Sequence, residues 1–242
     1  IFELFQKGET LGVFQFESEG MRAFLRELKP TTLEDLVAAN SLYRPGPMSQ
    51  IPKFIEGKHN PDSVSYIDPK LEPILNKTYG CIVWQEPVIE IFRDLAGFSM
   101  GRADLVRRAM SKKKMSIMEA ERKVFIYGEG DIKGAVKNGV NESAADAIYD
   151  LMIDFANYAF NKSHSAAYSI VAYQTAYLKA YYPNEYMAAL LTSMMGNIKQ
   201  TAKYIAECKK MGLVVDNPDV QTSYGSFTAV DGKISFGLYA IK

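Results

Sequence analysis

A short segment of the chain, residues 101–114, concentrates positive charge in a protein whose formal net charge is +0. It reads GRADLVRRAMSKKK, six basic side chains with one acid, Asp104. The planar fork of arginine can bind a phosphate through two N–H groups at once, which lysine cannot copy. The segment therefore favours a polyanionic partner held by Arg107 and Arg108. The alternative is a solvated helix face on which Asp104 pairs with Arg108, four residues further on.

Four hydrogen-bonding residues, NKSH at 161–164, form a second candidate site. They stand directly before a helical pattern, and Ser163 is predicted to cap that helix because its hydroxyl can accept from an unpaired backbone N–H. The start of a helix carries partial positive charge and suits an anion such as phosphate. Lys162 and His164 would add to that charge. The alternative is a solvated Lys162 and a boundary His164 with satisfied hydrogen bonds.

The helix that follows, predicted over 163–182, has apolar or aromatic residues on every side. No fully charged side chain lies between His164 and Leu178. A helix that is apolar all round is typically buried in a protein core, and this one is too short and too rich in hydroxyl groups to span a bilayer. We therefore predict a buried central helix that organises the rest of the fold.

Most of the remaining chain has helical periodicity. Helices are predicted over 19–28, 32–41, 69–75, 85–96, 184–195 and 198–211, with two more inside 116–160, the second capped by Asn141. Near the C-terminus, 226–230 and 233–237 flank Asp231-Gly232, which is a strong hairpin signal. The fold class is therefore mainly α, a multi-helix domain over 1–212 around the central helix, with a small β-containing segment over 213–242.

Composition excludes several classes of protein. The two cysteines, Cys81 and Cys208, are isolated, so neither a disulfide framework nor a zinc site is expected, and a reducing cytosol fits. There is no signal peptide or membrane-span pattern. At 242 residues the chain is long enough for a substantial core.

Five long motifs occur in one order along almost the whole chain. They are GVFQFESEGM at 12–21, LYRPGPM at 42–48, YGCIVWQEPV at 79–88, GRADLVRRAMSKKK at 101–114, and FNKSHSAAY at 160–168 continued by AYQTAYLKAYYPNEYMAALLT. In these motifs the chain resembles the alpha subunits of bacterial DNA polymerase III, the C-family replicative polymerases. The resemblance implies the fingers domain of a cytoplasmic DNA-directed DNA polymerase, cut from a longer protein. The alternative is a non-catalytic, nucleic-acid-binding helical scaffold domain.

The resemblance also implies functional residues. The residues expected to bind the incoming deoxynucleoside triphosphate are Arg107, Arg108, Lys112, Lys113, Lys162 and His164. Candidate contacts to the template or the nascent base pair are Arg44 in the RPGP turn, Asn161 and Tyr158. The implied partners are template-primer DNA, the nucleotide, the sliding clamp and other replisome subunits, with no membrane.

The same resemblance implies Mg²⁺ as the cofactor, because nucleotidyl transfer needs metal ions held by carboxylates. No Asp-x-Asp pair occurs in this chain. The metal-binding aspartates are therefore expected outside it, and the isolated piece is expected to be inactive.

Overall fold

In the computed structural model of the protein, the described residues are 1–156 and 160–241. This part of the chain forms twelve α-helices and one two-stranded antiparallel sheet. The helices are α1 Phe2–Gln6, α2 Glu19–Leu28, α3 Leu33–Leu42, α4 Ile51–His59, α5 Glu72–Leu75, α6 Gln85–Ala96, α7 Met100–Ser111, α8 Met115–Tyr127, α9 Glu142–Ala156, α10 Lys162–Tyr181, α11 Pro183–Ser193 and α12 Ile198–Lys210. The strands are β1 Thr228–Val230 and β2 Lys233–Ser235. The predicted fold class, mainly helical with a C-terminal hairpin, is confirmed.

Several predicted helices occur where the periodicity put them. Helices α2 and α6 match the predicted bounds, and α3, α11 and α12 differ from them by one or two residues. Asn141 caps α9 as predicted, since its side-chain oxygen accepts from the backbone N–H of Ser143 at 2.9 Å.

Contacts within the chain divide it into two units, Glu34–Ala167 and Ile1–Leu33 with Tyr168–Lys242. The helix α10 contributes residues to both. The predicted division at residue 212 rests on a change from helical to hairpin character, and as a domain boundary it stays a prediction.

The unit Glu34–Ala167 has a buried cluster formed mainly by the four helices α6 to α9. Its buried members include Val88, Ile91, Phe92 and Leu95 of α6, Ala103, Val106 and Met110 of α7, Met118 and Phe125 of α8, and Ile148, Tyr149 and Met152 of α9. The Tyr149 hydroxyl donates to the carbonyl of Met118 at 2.8 Å, so the one polar atom of this buried ring is satisfied. This cluster fixes the outer face of α7, on which the basic side chains lie.

One buried cluster of the other unit is formed by Leu11, Met187, Ala188, Leu191, Tyr204, Cys208, Phe227 and Ile234. The hairpin belongs to this cluster through Ile234 on β2, and its register pairs Val230 with Lys233 across the turn. Asp231 and Gly232 in that turn both have positive φ, 49° and 74°, as a two-residue hairpin requires.

Helix α10 differs from the prediction of a helix buried on all sides. Its buried residues form one stripe, Ser165, Ser169, Ala172, Ala176 and Lys179, at three- and four-residue spacing. The opposite side exposes large apolar and aromatic residues, among them Ile170, Leu178 and Tyr181. Apolar composition on every side had suggested burial on every side, and the observed packing covers only the side with small residues.

No helix in the described part of the chain has both the length and the apolar composition that crossing a membrane requires.

Candidate functional site

The basic segment folds as α7, which begins after Ser99, whose hydroxyl accepts from the N–H of Arg102. On this helix Asp104 binds both predicted arginines. Arg107 donates to one carboxylate oxygen through Nε and Nη2, at 2.9 and 2.8 Å. Arg108 places its Nε 2.7 Å from the other oxygen. The pairing of Asp104 with Arg108, weighed as the alternative, is therefore present.

The two arginines differ in exposure. The side chain of Arg107 is 12 % exposed and that of Arg108 is 64 % exposed. Arg107 lies over Asp104 with two of its donors already engaged, whereas Arg108 extends into solvent. Of the two side chains, that of Arg108 is therefore the one accessible from solvent.

The shared carboxylate is held in its charged form. Burial by itself would raise the pKa of Asp104, but the hydrogen bonds and charges of Arg107 and Arg108 outweigh burial and lower it below the ordinary value. Asp104 therefore stays ionised at neutral pH and holds both guanidinium groups.

A cavity of about 600 Å³ lies along α7 and α8. Its basic lining residues are Arg102, Arg108, Lys112 and Lys114, its acidic one is Glu121, and its apolar ones are Leu105, Val106, Ala109 and Ile117. Two carboxylates, Glu121 and Glu129, bind Arg102 at 3.1 and 3.2 Å. The cavity is thus a cationic groove that also carries apolar side chains.

The lysines lie beyond the end of α7 rather than on it. Lys112 is the C-cap, and Lys113 follows with a left-handed backbone, φ 52°. The helical spacing that joins Asp104 to Arg108 therefore does not extend to the three lysines, because the helix ends at Ser111. Lys112 lines the groove, while Lys113 is exposed and is not among the residues that line it.

At the second candidate site, the predicted cap is wrong by two residues. Helix α10 begins at Lys162, and Asn161 caps it by accepting from the N–H of His164 at 3.0 Å. Ser163 lies inside the first turn. Asparagine and serine are about equally good caps, so residue preference could not choose between them.

The helix start is also already occupied by an anion. Glu86, in the first turn of α6, accepts from the N–H of Lys162 at 3.2 and 3.3 Å and from the amide of Asn161 at 3.3 Å. A carboxylate there satisfies the helix donors and the partial charge of the helix end. The protein itself thus supplies the anion that the sequence led us to expect from a ligand.

The cations around this helix start rest on aromatic rings. The ammonium of Lys162 lies 4.5 Å from the centroid of Trp84, and the guanidinium of Arg44 lies 3.8 Å from that of Phe160. The ring of His164 packs edge-on against Phe160 at 5.3 Å. Trp84 is buried and donates to the hydroxyl of Ser41 at 2.9 Å. These cation–π contacts hold both positive charges close to the protein surface.

These contacts bring the predicted residues together in two groups. Arg107 and Arg108 share Asp104 on α7. Arg44, Asn161, Lys162 and His164 gather around the start of α10 with Trp84, Glu86 and Phe160. Tyr158, the remaining predicted contact, lies outside the described residues. That both groups hold one triphosphate stays a prediction.

Sequence reasoning missed Glu86 as the partner of the α10 start and Leu105 as a lining residue of the groove. The only sequence signal for Glu86 was its position in the first turn of a predicted helix. That position indicates a local cap and gives no sign of a partner 76 residues away. For Leu105 the signal was a leucine within a run of charged residues.

Side chains that ligate metals are dispersed in the described part of the chain. In the ranges 1–156 and 160–241, no group of three or more His, Cys, Asp or Glu side chains is arranged to hold a metal ion. Mg²⁺ is often held by only one or two carboxylates with water and phosphate oxygens, so its expected location outside this chain stays a prediction.

Comparison with known proteins identifies the family. The family model described as the bacterial DNA polymerase III alpha subunit finger domain matches residues 1–132, more than half of the chain. The chain belongs to this finger-domain family. The part that the family model matches contains α7, Arg44 and Glu86.

Relatives that match the whole of this chain support the same family. The DNA polymerase III subunit alpha of Treponema pallidum (strain Nichols) is 46 % identical over 241 residues, 100 % of this chain and 20 % of that protein. Those of Bacillus subtilis (strain 168) and Staphylococcus aureus (strain Mu50 / ATCC 700699) are 47 % and 43 % identical, also over 100 % of this chain and over 21 % and 22 % of those proteins. The chain thus spans about a fifth of the length of the curated relatives it matches.

Proposed function

We propose that this finger domain serves a DNA-directed DNA polymerase by binding the triphosphate of the incoming deoxynucleotide and positioning it against template-primer DNA. The cationic groove along α7 and α8, with Arg108 at its exposed edge, is the observation that carries the proposal. Membership in the finger-domain family supports it from an independent direction. The parent polypeptide would act in DNA replication, in the cytoplasm, with the sliding clamp and other replisome subunits.

Arg108 would make the direct phosphate contact. Its Nε is held by Asp104, which limits the rotation of the guanidinium, and the exposed side chain can present its terminal N–H groups to phosphate oxygens. Arg107 would fix Asp104 and would reach a phosphate only by leaving that carboxylate. Lys112 and Lys113, just past the helix end, would add charge along the polyphosphate tail.

The contribution to catalysis would be electrostatic and positional. Negative charge develops on the pyrophosphate leaving group during nucleotidyl transfer, and fixed cations stabilise it without reorganisation. Holding the tail also aligns the reacting phosphorus for in-line attack. Lys162 and His164 would assist from the start of α10, and Arg44 and Asn161 would face the template or the nascent base pair. Tyr158 is proposed for the same role.

The decisive experiment is steady-state kinetics of the full-length polypeptide with Arg108→Ala. We expect kcat/KM for the nucleotide to fall. The fall should correspond to a loss of about 2–4 kcal/mol in transition-state stabilisation, the scale of losing one preorganised donor. Arg93→Ala is the matched control, because Arg93 also pairs with one carboxylate, that of Asp94, on a helix of the same unit. Wild-type kinetics for Arg108→Ala would contradict the proposal.

A DNA-binding readout separates the alternative function. If Arg108→Ala weakened binding of duplex or single-stranded DNA and left nucleotide kinetics unchanged, the chain would be a nucleic-acid-binding scaffold. A fingers domain predicts the opposite pattern, with nucleotide use impaired and the affinity for primed template nearly unchanged.

The chain alone is expected to extend no primer, because the carboxylates that would hold Mg²⁺ are proposed to lie outside it. The measurement is primer extension by the 242-residue chain with magnesium and all four nucleotides, beside the full-length polypeptide as positive control. Magnesium-dependent extension by the chain alone would contradict this.

A further inference from the structure

The exposed side of α10 is unusual for a protein surface because it carries no charge. Between Ile170 and Tyr182 the one charged residue is Lys179, and it points to the buried side. The exposed side, here called the uncharged face, consists of Ile170, Val171, Gln174, Tyr177, Leu178 and Tyr181, together with Tyr182, the residue that follows the helix. The six large apolar or aromatic members are each between 41 % and 60 % exposed. A contiguous apolar patch of this kind typically marks an interaction surface.

The uncharged face continues into a cavity of about 470 Å³. Tyr181 belongs to both. The cavity has a mixed lining, with apolar residues such as Met211 and Leu213 and charged residues such as Glu3, Lys7 and Lys210. The rings of Tyr177 and Tyr181 also pack against each other at 4.7 Å. An aromatic area bordered by a pocket of mixed lining matches the apolar centre and polar rim of a protein interface.

The chemistry of the face selects the class of partner. Nucleic acid would require cations to neutralise its phosphates, and the uncharged face has none. The tyrosine hydroxyls and the Gln174 amide provide a few hydrogen-bonding atoms among apolar surface, which is the composition of a protein–protein or domain–domain interface. The partner surface is therefore apolar protein.

The length of the relatives indicates where that surface comes from. This chain corresponds to 20–22 % of their length, so about four fifths of such a polypeptide lies elsewhere. A surface on the same polypeptide is present at high effective concentration and needs no separate association. We infer that the uncharged face of α10 is covered, in the full-length polypeptide, by an apolar surface from outside residues 1–242. This inference rests on family membership and not on nucleotide binding.

Cysteine labelling of the full-length polypeptide tests it. Tyr181→Cys places a thiol on the uncharged face, and Val220→Cys places a reference thiol at a position that is 88 % exposed in the same unit. Burial raises the pKa of the native thiols Cys81 and Cys208 to about 11, so they react slowly. The rate of maleimide labelling at each probe is measured by peptide mass spectrometry. It is then divided by the labelling rate of the same site in denaturant, which gives a normalised rate.

We expect the normalised rate at 181 to be on the order of tenfold lower than at 220, because a covered site reacts only through opening. Equal normalised rates would overturn the inference. Protection at 181 that disappears on dilution, together with loss of a dimer mass, would assign the face to a second copy and overturn it as well. So would protection that requires added DNA.

Two further measurements keep the result unambiguous. Tyr182→Cys, at 51 % exposure, is a second probe in case Tyr181→Cys perturbs the helix, and circular dichroism confirms that each variant is folded. Labelling is repeated in the Arg108→Ala background. If Arg108→Ala impairs nucleotide use and leaves protection at 181 unchanged, coverage of the uncharged face is independent of nucleotide binding by the groove.

Discussion

At the scale of single residues, the arginine pair illustrates how one acid can give two neighbours different roles. Asp104 precedes Arg107 by three residues and Arg108 by four, so both can reach it on a helix. Packing of α7 against its core leaves Arg107 mostly covered and Arg108 mostly exposed. The difference in exposure between two identical side chains therefore follows from which side of the helix is buried.

The stability that Asp104 contributes should depend on pH. Its pKa is lower in the folded than in the unfolded chain, where it is about 3.9. The unfolded state therefore takes up the proton first as pH falls, and the stabilisation is present above that value and is lost as pH falls through the folded pKa. Asp104→Asn should be less stable than wild type at neutral pH, with the difference shrinking in acid.

Urea unfolding of wild type and Asp104→Asn at about pH 7 and about pH 3 measures this difference. Asp131→Asn, at an exposed carboxylate in a turn of the same unit, is the control for general effects of removing a negative charge. A stability difference that stays constant or grows toward acid would show that the arginines do not stabilise the ionised carboxylate.

At the scale of elements, helix α10 was predicted over 163–182 and is observed at Lys162–Tyr181. Its existence and length follow from a long run without proline, glycine or helix-ending signals. The first residue of the helix does not follow from the sequence, because Asn161 and Ser163 are both good caps. Glu86, in the first turn of α6, accepts a hydrogen bond from the N–H of Lys162 and so favours a helix that begins at Lys162. Nothing in the sequence around Glu86 indicates this contact.

The hairpin turn offers a prediction about backbone strain. Gly232 has φ 74°, and an added Cβ would meet no atom within 4 Å. The cost of Gly232→Ala is therefore conformational only, and we expect the free energy of unfolding to fall by about 1–2 kcal/mol.

Gly196→Ala is the matched control for that experiment. An added Cβ there also meets nothing within 4 Å, but φ of Gly196 is not in the left-handed range. We expect it to be neutral or slightly stabilising. Chemical denaturation of both variants gives the comparison, and equal effects would mean that the left-handed backbone of the turn carries no cost.

At the scale of the whole molecule, one buried charge joins segments that are far apart in the chain. Lys179 on α10 is 2 % exposed and donates to the carbonyls of Glu9 and Leu11 and to the carboxylate of Glu207 on α12, each at 2.8 Å. Burial lowers the pKa of Lys179, and Glu207 opposes that effect. All three lysine protons are thus used inside the unit formed by Ile1–Leu33 and Tyr168–Lys242.

Removing one partner of this pair should be costly. Lys179→Met leaves the carboxylate of Glu207 buried without its cation, and we expect a loss of about 3–5 kcal/mol in the free energy of unfolding. The double variant Lys179→Met/Glu207→Leu should recover a large part of the loss, because it leaves no buried charge unpaired. Urea unfolding of the wild type, both single variants and the double variant measures the coupling. A single-variant loss under about 1 kcal/mol would contradict a buried pair.

Local pattern in the chain was enough for the helical fold class, most helix positions, the Asn141 cap and the hairpin, because these depend on periodicity, caps and turn residues close together in sequence. The motifs were enough for the family. Tertiary structure alone decided that Glu86 fills the start of α10, that Arg108 rather than Arg107 faces solvent, and that one side of α10 is left uncovered. Each of these depends on which distant segment packs against a given face, and a residue's type and spacing do not encode the partner that arrives from elsewhere in the chain.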